Sequence, residues 1–329
     1  MPDLITLIIP AYNIAPFIQR CLRSVVEQTY PELEIIVVND GSTDQTGDFI
    51  DQFARLDNRI VVIHKKNTGV SDTRNRGLDI AHGSHIGFVD GDDELYPDMV
   101  EFLLKNAKQY EADISHCAFE VVYPTRTVAV NGTAARVIQS RSQGIKALLQ
   151  GRLFEPSACN KLYSSDMIKG VRYPAGIRIN EDLLFNLEAF KNCRRSVFED
   201  VVKYRYMFNP TSATRNGFEL AKLDSVLTVA QRVRRSLDGE ADLQRAVDTF
   251  YAEKLLNIYK SLHANHEEKS GFSAKIKREL RSCKGRAIGL RLMVLRTLLL
   301  DFPFAYQSVH SLHKKLYGNR RKWSIPESE

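Results

Sequence analysis

The sequence contains no Walker A run and no G-x-G-x-x-G turn after its first apolar segment, which argues against a P-loop ATPase or a dinucleotide oxidoreductase. Its five cysteines (Cys21, Cys117, Cys159, Cys193, Cys283) are odd in number, scattered and without C-x-x-C spacing. Neither a disulfide framework nor a zinc site is expected from them, and a reducing compartment suits them better. The opening Met1-Pro2-Asp3 leads at once into a strand-like run, with no basic segment, apolar stretch and small-residue cleavage site before it; the expected location is therefore cytoplasmic. There is no internal repeat and no low-complexity segment. The most apolar stretch, "RAIGLRLMVLRTLLLDFPF", is broken by Arg291 and Arg296 and is too short to span a bilayer.

What is present is an ordinary soluble composition, 329 residues with 43% hydrophobic and 26% charged, enough for one large domain or two moderate ones. The net charge of +6 hides an asymmetry. Residues 1–268 carry 32 Lys and Arg against 36 Asp and Glu, whereas residues 269–323 carry 14 against 2. Body and tail are chemically different objects, and a division into 1–215 and 216–329 is expected.

From Leu4 onward, short β-branched runs alternate with amphipathic segments: "LITLIIP" then Ala15 to Gln28, "ELEIIVVND" then Asp44 to Leu56, "RIVVIHK" then Ser71 to His82, "HIGFVD" then Pro97 to Tyr110. That spacing predicts βαβ units and a mostly parallel sheet with helices on both faces. Further on, a strand over "DISHCAFEVVY", a helix over Ser142 to Gln150 and another from Asn180 are expected. Helices alone are expected from about Phe218 to Tyr317, punctuated at Gly239, Gly271, Gly285 and Pro303.

Ligands of open parallel sheets bind outside the carboxyl ends of the strands. Three polar clusters fall at such ends: "PAYN", "NDGSTD" and "DGDD". The last could be a simple turn, since Asp and Gly are good turn formers. Three adjacent carboxylates, Asp90, Asp92 and Asp93, nevertheless repel one another unless a cation compensates. Mg²⁺ or Mn²⁺ held by one or two carboxylates and completed by substrate phosphate meets that need. A strand ending in Asp-x-Asp also describes haloacid-dehalogenase phosphatases, but those place it on the opening strand, with Thr or Val soon after the second Asp; here it ends the fourth strand and Asp93 and Glu94 follow. In "NDGSTD", Gly41 makes the turn and Ser42, Thr43 or Asp44 caps the next helix, whereas Asp40 ends a central strand and could accept the N3 hydrogen of a uracil. Ser71 is expected to cap the third helix. Arg74, one turn in, is a candidate for a diphosphate, while Arg76 reads as solvated. In "INEDLLFNLEAF", Glu181 and Asp182 open a helix whose Leu183, Leu184, Leu187 and Phe190 face the core. Acidic residues are favoured there by the helix dipole alone, yet an acceptor hydroxyl also needs a base.

Taken in order, "LIIPAYN", "SVVEQTYPELEIIVVNDGSTD", "NTGVSDTRNRGLDIAHGSHIGFVDGDDELYP" and "NEDLLFNLEAF" closely resemble the family 2 glycosyltransferases of the GT-A fold, densely over Leu4 to Tyr110 and again around Asn180 to Phe190. The resemblance implies a GT-A catalytic domain over 1–215 and inverting transfer of a hexose-type sugar from a nucleoside diphosphate, with uridine the favoured nucleoside and Mn²⁺ or Mg²⁺ as cofactor. It implies that Pro10, Ala11 and Tyr12 border the base and that Asp40 binds its polar edge. Asp90 and Asp92 correspond to the DxD pair, both counted as metal ligands with Asp90 also near the ribose, and the adjacent Asp93 is expected to share in binding the nucleotide. Arg74 matches the diphosphate-side arginine, and Asp182 of the Glu181-Asp182 pair matches the catalytic base. Asn39 stands where many members have Asp, and Gly91 where many have Ser or Ala. No histidine follows the Glu-Asp helix closely, so the third metal ligand of some members is not evident.

The basic tail reads either as a helical bundle or as an interfacial surface attracted to anionic lipid. The second reading suits a polyprenyl-diphosphate-linked glycan acceptor and a peripheral position at the inner face of the cell membrane, in the biosynthesis of a surface polysaccharide such as capsule, O-antigen or exopolysaccharide. Nucleic acid is not expected, for lack of a recognised binding motif, and a homo-oligomer is left open. The alternative from another class is a noncatalytic sugar-nucleotide-binding module that recruits partners through its tail.

Overall fold

Four runs of Ile, Val, Leu and Phe, each followed by an amphipathic helix, lay down the first half of the sheet. A computed structural model describes residues 2–130, 133–209, 218–267, 270–283 and 285–301, without the side chains of 285–291. The chain divides into two compact units, Met1–Gly217 and Phe218–Glu329.

In the first unit, β1 (Ile5–Ala11), α1 (Ala15–Val26), β2 (Leu33–Asn39), α2 (Thr46–Leu56), β3 (Ile60–His64), α3 (Val70–Ile80) and β4 (His85–Phe88) follow the expected alternation. All seven residues of β1 are buried, as a strand covered on both faces requires. β3, β2, β1 and β4 lie side by side and parallel, which brings the carboxyl ends of β1, β2 and β4 to one edge.

The rest of the unit is β5 (Glu94–Leu95), α4 (Met99–Gln109), β6 (Ile114–Val122), β7 (Thr127–Val130), β8 (Arg136–Ser140), α5 (Arg141–Gln150), β9 (Lys161–Ser164), α6 (Glu181–Asn192) and β10 (Arg195–Met207). The sheet order is β3-β2-β1-β4-β9-β6-β10-β5, with β7 on β6 and β8 on β10. β6 and β10 are parallel to each other, but β9 runs antiparallel between β4 and β6. The parallel pattern thus holds through β4 and the sheet becomes mixed beyond it.

Two local expectations are corrected. α3 begins at Val70, one residue before Ser71, with Gly69 at the N-cap in a left-handed conformation (φ 94°) and no side-chain cap; Ser71 Oγ is buried without a partner. On α6 the inward set is Leu183, Phe185, Leu187 and Phe190, with Leu184 only half-buried. Phe185 stacks on Tyr173 at 4.3 Å and meets Phe88 of β4 edge-on at 5.3 Å. This aromatic cluster fixes α6 against the end of β4.

The second unit is helical: α7 (Leu220–Ser236), α8 (Gln244–Ala264), α9 (Gly271–Ser282) and α10 (Gly285–Asp301). α8 is the central member, packing against the other three, with Phe250, Leu255, Ile258 and Leu262 buried. α9 turns Ile276 and Leu280 inward and leaves Arg278 and Arg281 exposed. The helix expected to continue to Tyr317 lies, past Asp301, outside the described residues. Among the described residues no helix is long and apolar enough to cross a membrane.

Candidate active site

The three polar clusters and the first turn of α6 converge at the carboxyl ends of β1, β2 and β4. Arg74 ties the last of these clusters to α6. Its side chain, 4% exposed, donates from Nη2 to Asp90 Oδ1 at 2.7 Å and from Nη1 to Glu181 Oε1 and Asp182 Oδ1, each at 3.0 Å. The guanidinium lies 5.0 Å from the centre of the Tyr173 ring. A planar cation with a fixed fork of donors suits such convergence better than an ammonium would. Three carboxylates on one guanidinium leave an excess of negative charge, and the titration behaviour reflects it. Burial, then Asp182, pushes Glu181 up to about 7. Burial also raises Asp182, against the pull of Arg74.

α6 starts at Glu181 behind Asn180, which is left-handed (φ 65°) and makes no side-chain cap bond. The two acids are turned to Arg74 and, for Asp182 Oδ2, to the Ala158 N–H at 3.3 Å. They therefore do more than satisfy a helix dipole.

The "DGDD" loop divides its carboxylates. Asp90 is partly open, with 32% of its side chain exposed. Asp92 is half-buried and accepts from Asn209 Nδ2 at 3.0 Å. Asp93, 1% exposed, turns toward β10, where Tyr204 Oη donates to Oδ2 at 2.6 Å and the Met207 N–H to Oδ1 at 2.9 Å. Burial and the neighbouring Asp90 push Asp92 upward; Asp93 rises for the same causes and through Asp92. The loop is short of positive charge, so its donor set fits a hard divalent cation. Among the described residues no group of three or more His, Cys, Asp or Glu side chains stands ready to hold one, so other ligands would have to come from substrate and water.

Gly91 has a packing reason. A Cβ there would lie 2.9 Å from the Pro10 carbonyl oxygen and 2.5 Å from Ile14 Cδ1. Gly91→Ala must move the loop against backbone, and a loss of about 1–3 kcal/mol is expected. Thermal unfolding of the variant checks this; a melting temperature equal to wild type would refute it.

Asp40, 3% exposed, accepts from the Thr68 and Gly69 N–H groups, each at 2.9 Å, and from Lys65 Nζ at 2.5 Å. It closes the 65–69 loop over the end of β2 and retains lone-pair capacity for one more donor. Asn39 Nδ2 lies 3.0 Å from His64 Nδ1, and its Oδ1 accepts from the Ser42 N–H at 3.0 Å; an Asp here would bond the ring only with the proton on Nδ1. Asp44 accepts from the Thr46 and Ala15 N–H groups, so it serves the starts of both α2 and α1. Pro10 and Ala11 are buried, while Tyr12 is 48% exposed at the rim. Sequence reasoning missed the loop from Phe154 to Asn160, which supports Asp182, because nothing in "FEPSACN" marks it as a partner of α6.

The family model described as glycosyl transferase family 2 matches residues 6–172, the stretch that holds Asp40, Arg74 and the "DGDD" loop but not Tyr173, Glu181, Asp182 or the residues contributed by β10 and the loop after it. The chain belongs to glycosyl transferase family 2. It is 36% identical over 227 residues to the uncharacterized glycosyltransferase EpsJ of Bacillus subtilis (strain 168), covering 67% of this chain and 66% of EpsJ. Over 102 residues it is 42% identical to the chondroitin synthase of Pasteurella multocida (strain Pm70), 31% of this chain but only 11% of that one. Among solved structures, S. aureus TarS 1-349 in complex with UDP-GlcNAc superposes with a TM-score of 0.65 at 22% identity, covering 98% of this chain and 95% of that chain; at that identity the likeness is one of fold, a GT-A fold with a helical C-terminal region. The chain is thus a glycosyltransferase with relatives in polysaccharide synthesis.

Proposed function

We propose that this family 2 enzyme transfers a sugar, with inversion, from a uridine diphosphate donor to a hydroxyl of a lipid-linked glycan in polysaccharide biosynthesis. The observation that carries this reading is Arg74: one buried guanidinium joins the "DGDD" loop to the Glu181-Asp182 pair. Donor-binding and proton-accepting groups are thereby held within one side chain's reach of each other.

Asp40 at the end of β2 receives the base, with Pro10, Ala11 and Tyr12 alongside. Asp90 and Asp92 would hold Mn²⁺ or Mg²⁺, which when bound supplies positive charge for the diphosphate. Asp93 shapes the same loop from beneath. Asp182 accepts the proton of the acceptor hydroxyl as that oxygen bonds to the anomeric carbon and the diphosphate leaves with the electrons of the broken bond. Attack opposite the leaving group inverts the configuration, as in inverting hydrolases. An α-linked donor gives a β-linkage.

The name of the TarS complex favours a uridine nucleotide, and the chondroitin synthase match favours a glycan acceptor. The basic helices favour a peripheral position on anionic lipid at the inner membrane face, at about 1 kcal/mol per basic residue near the surface. Leu292, Leu295 and Leu298 of α10, all half-exposed, would add apolar area to that contact.

The test is calorimetric titration with UDP-, GDP-, CDP- and TDP-sugars, with Mn²⁺ and with chelator, on wild type and Asp92→Ala. The expected result is metal-dependent binding of a UDP-sugar that Asp92→Ala abolishes. Binding indifferent to both metal and Asp92 would overturn the reading.

A further inference from the structure

Behind the Asp182 carboxylate the chain buries a cation that this chemistry does not use. Lys161, the first residue of β9, is 1% exposed. Its ammonium donates to the Ser157 carbonyl at 2.5 Å, to Asn160 Oδ1 at 2.9 Å and to the Glu155 carbonyl at 3.1 Å. An ammonium has three donors, and all three go to residues 155–160. Desolvating an ammonium is costly, and a methionine would fill much the same volume.

The segment so gathered rests on the start of α6. Asn186 Nδ2 donates to the Pro156 carbonyl at 2.9 Å and to the Asp182 carbonyl at 3.0 Å, and its Oδ1 accepts from Tyr163 Oη at 2.8 Å. Between these anchors the Ala158 N–H donates to Asp182 Oδ2. We propose that Lys161 is a positioning residue for Asp182: the carbonyls and amide oxygen drawn around its ammonium hold the Ala158 N–H on Oδ2 and fix the orientation of the carboxylate. The inference rests on the reading of Asp182 as the base.

Electrostatics act in the same direction. The groups facing Asp182 are Arg74 from α3, Asp90 from the loop after β4, Glu181 beside it and Lys161 from β9, together with Cys159, Tyr163 and Tyr173. Arg74, Lys161 and the Ala158 N–H favour the carboxylate; burial and Asp90 oppose it. Around Lys161 itself lie Cys117, Cys159, Glu155, Asp182 and the buried His116. Burial brings the ammonium down to about 8, while its three donated bonds each require an N–H and so favour the charged form.

The test follows the Asp182 carboxyl carbon by NMR in full-length protein labelled at aspartate Cγ, its resonance assigned by its absence in Asp182→Asn. In Lys161→Met the titration midpoint of Asp182 is expected to move up by about one pH unit, tenfold in proton affinity, and Lys161→Arg is expected to restore it at least in part. Ala158→Pro keeps the ammonium, removes the N–H and is expected to move the midpoint in the same direction, which tests the bond through which Lys161 acts and keeps the inference open to refutation if Lys161→Met does not fold. An unmoved midpoint in a folded Lys161→Met or in Ala158→Pro would overturn the inference. Unimpaired turnover by Asp182→Asn would instead remove the base assignment, a separate result that this titration does not depend on.

Discussion

Asp182→Asn is expected to lower sugar transfer by about 10²- to 10⁴-fold, the usual contribution of a general base, while the dissociation constant for the donor changes less than threefold. The amide is nearly isosteric with the carboxylate and can still accept on Oδ1 from Arg74, but it cannot take a proton. Steady-state rates beside donor titration separate the two effects. Parallel losses in both would assign Asp182 to donor binding instead. In wild type the rate should rise with pH through a limb above the ordinary carboxylate range, because the base acts deprotonated and burial raises both Asp182 and Glu181, the latter to about 7. The two acids titrate as a coupled pair, so the limb belongs to the pair.

The second large effect is on stability. Arg74→Met should destabilise the fold by about 3–5 kcal/mol at pH 7.5, because removing one partner of a buried ionic cluster leaves the other charges uncompensated. The loss should shrink toward pH 4.5. Arg74 draws the proton affinities of Glu181 and Asp182 down in the folded state, so without the guanidinium both rise. Raised folded pKa values stabilise below the unfolded value and lose that contribution as pH increases through the folded one. Urea unfolding of the whole chain at the two pH values checks this. Equal losses at both would mean that Arg74 acts through packing on Tyr173 rather than through its charge.

The parallel half was legible in the sequence because its signals are local. "LITLIIP" and "ELEIIVV" are apolar runs of strand length, each followed by a helix with one apolar stripe, and the polar residues after them can only lie at strand ends. β9 was not legible. "KLYS" contains a lysine that is fully buried, against every compositional expectation for a core strand. β10 was equally obscure, since Glu199, Asp200, Lys203 and Arg205 interrupt its apolar residues and find partners only through the fold: Glu199 accepts from Arg136 and Asn106, and Arg205 donates to Glu120. The site was half legible. Motif order pointed to Arg74, Asp90 and Asp182, but that one guanidinium binds both acids of a helix 107 and 108 residues away is a tertiary fact. No spacing rule reaches so far.

The insertion of β9 between β4 and β6 also bears on how the enzyme is made. On a ribosome, β3, β2, β1 and β4 are finished long before residue 161 emerges, yet the inner edge of β4 stays unpaired until β9 arrives. An open strand edge is a template for pairing with another chain, and N-terminal segments collapse while synthesis continues. During that interval Arg74 also lacks Glu181 and Asp182. The segment from Lys161 to Asp182 supplies both the missing strand and the missing counter-ions of Arg74, so neither the sheet nor this ionic cluster can be completed before that segment has emerged.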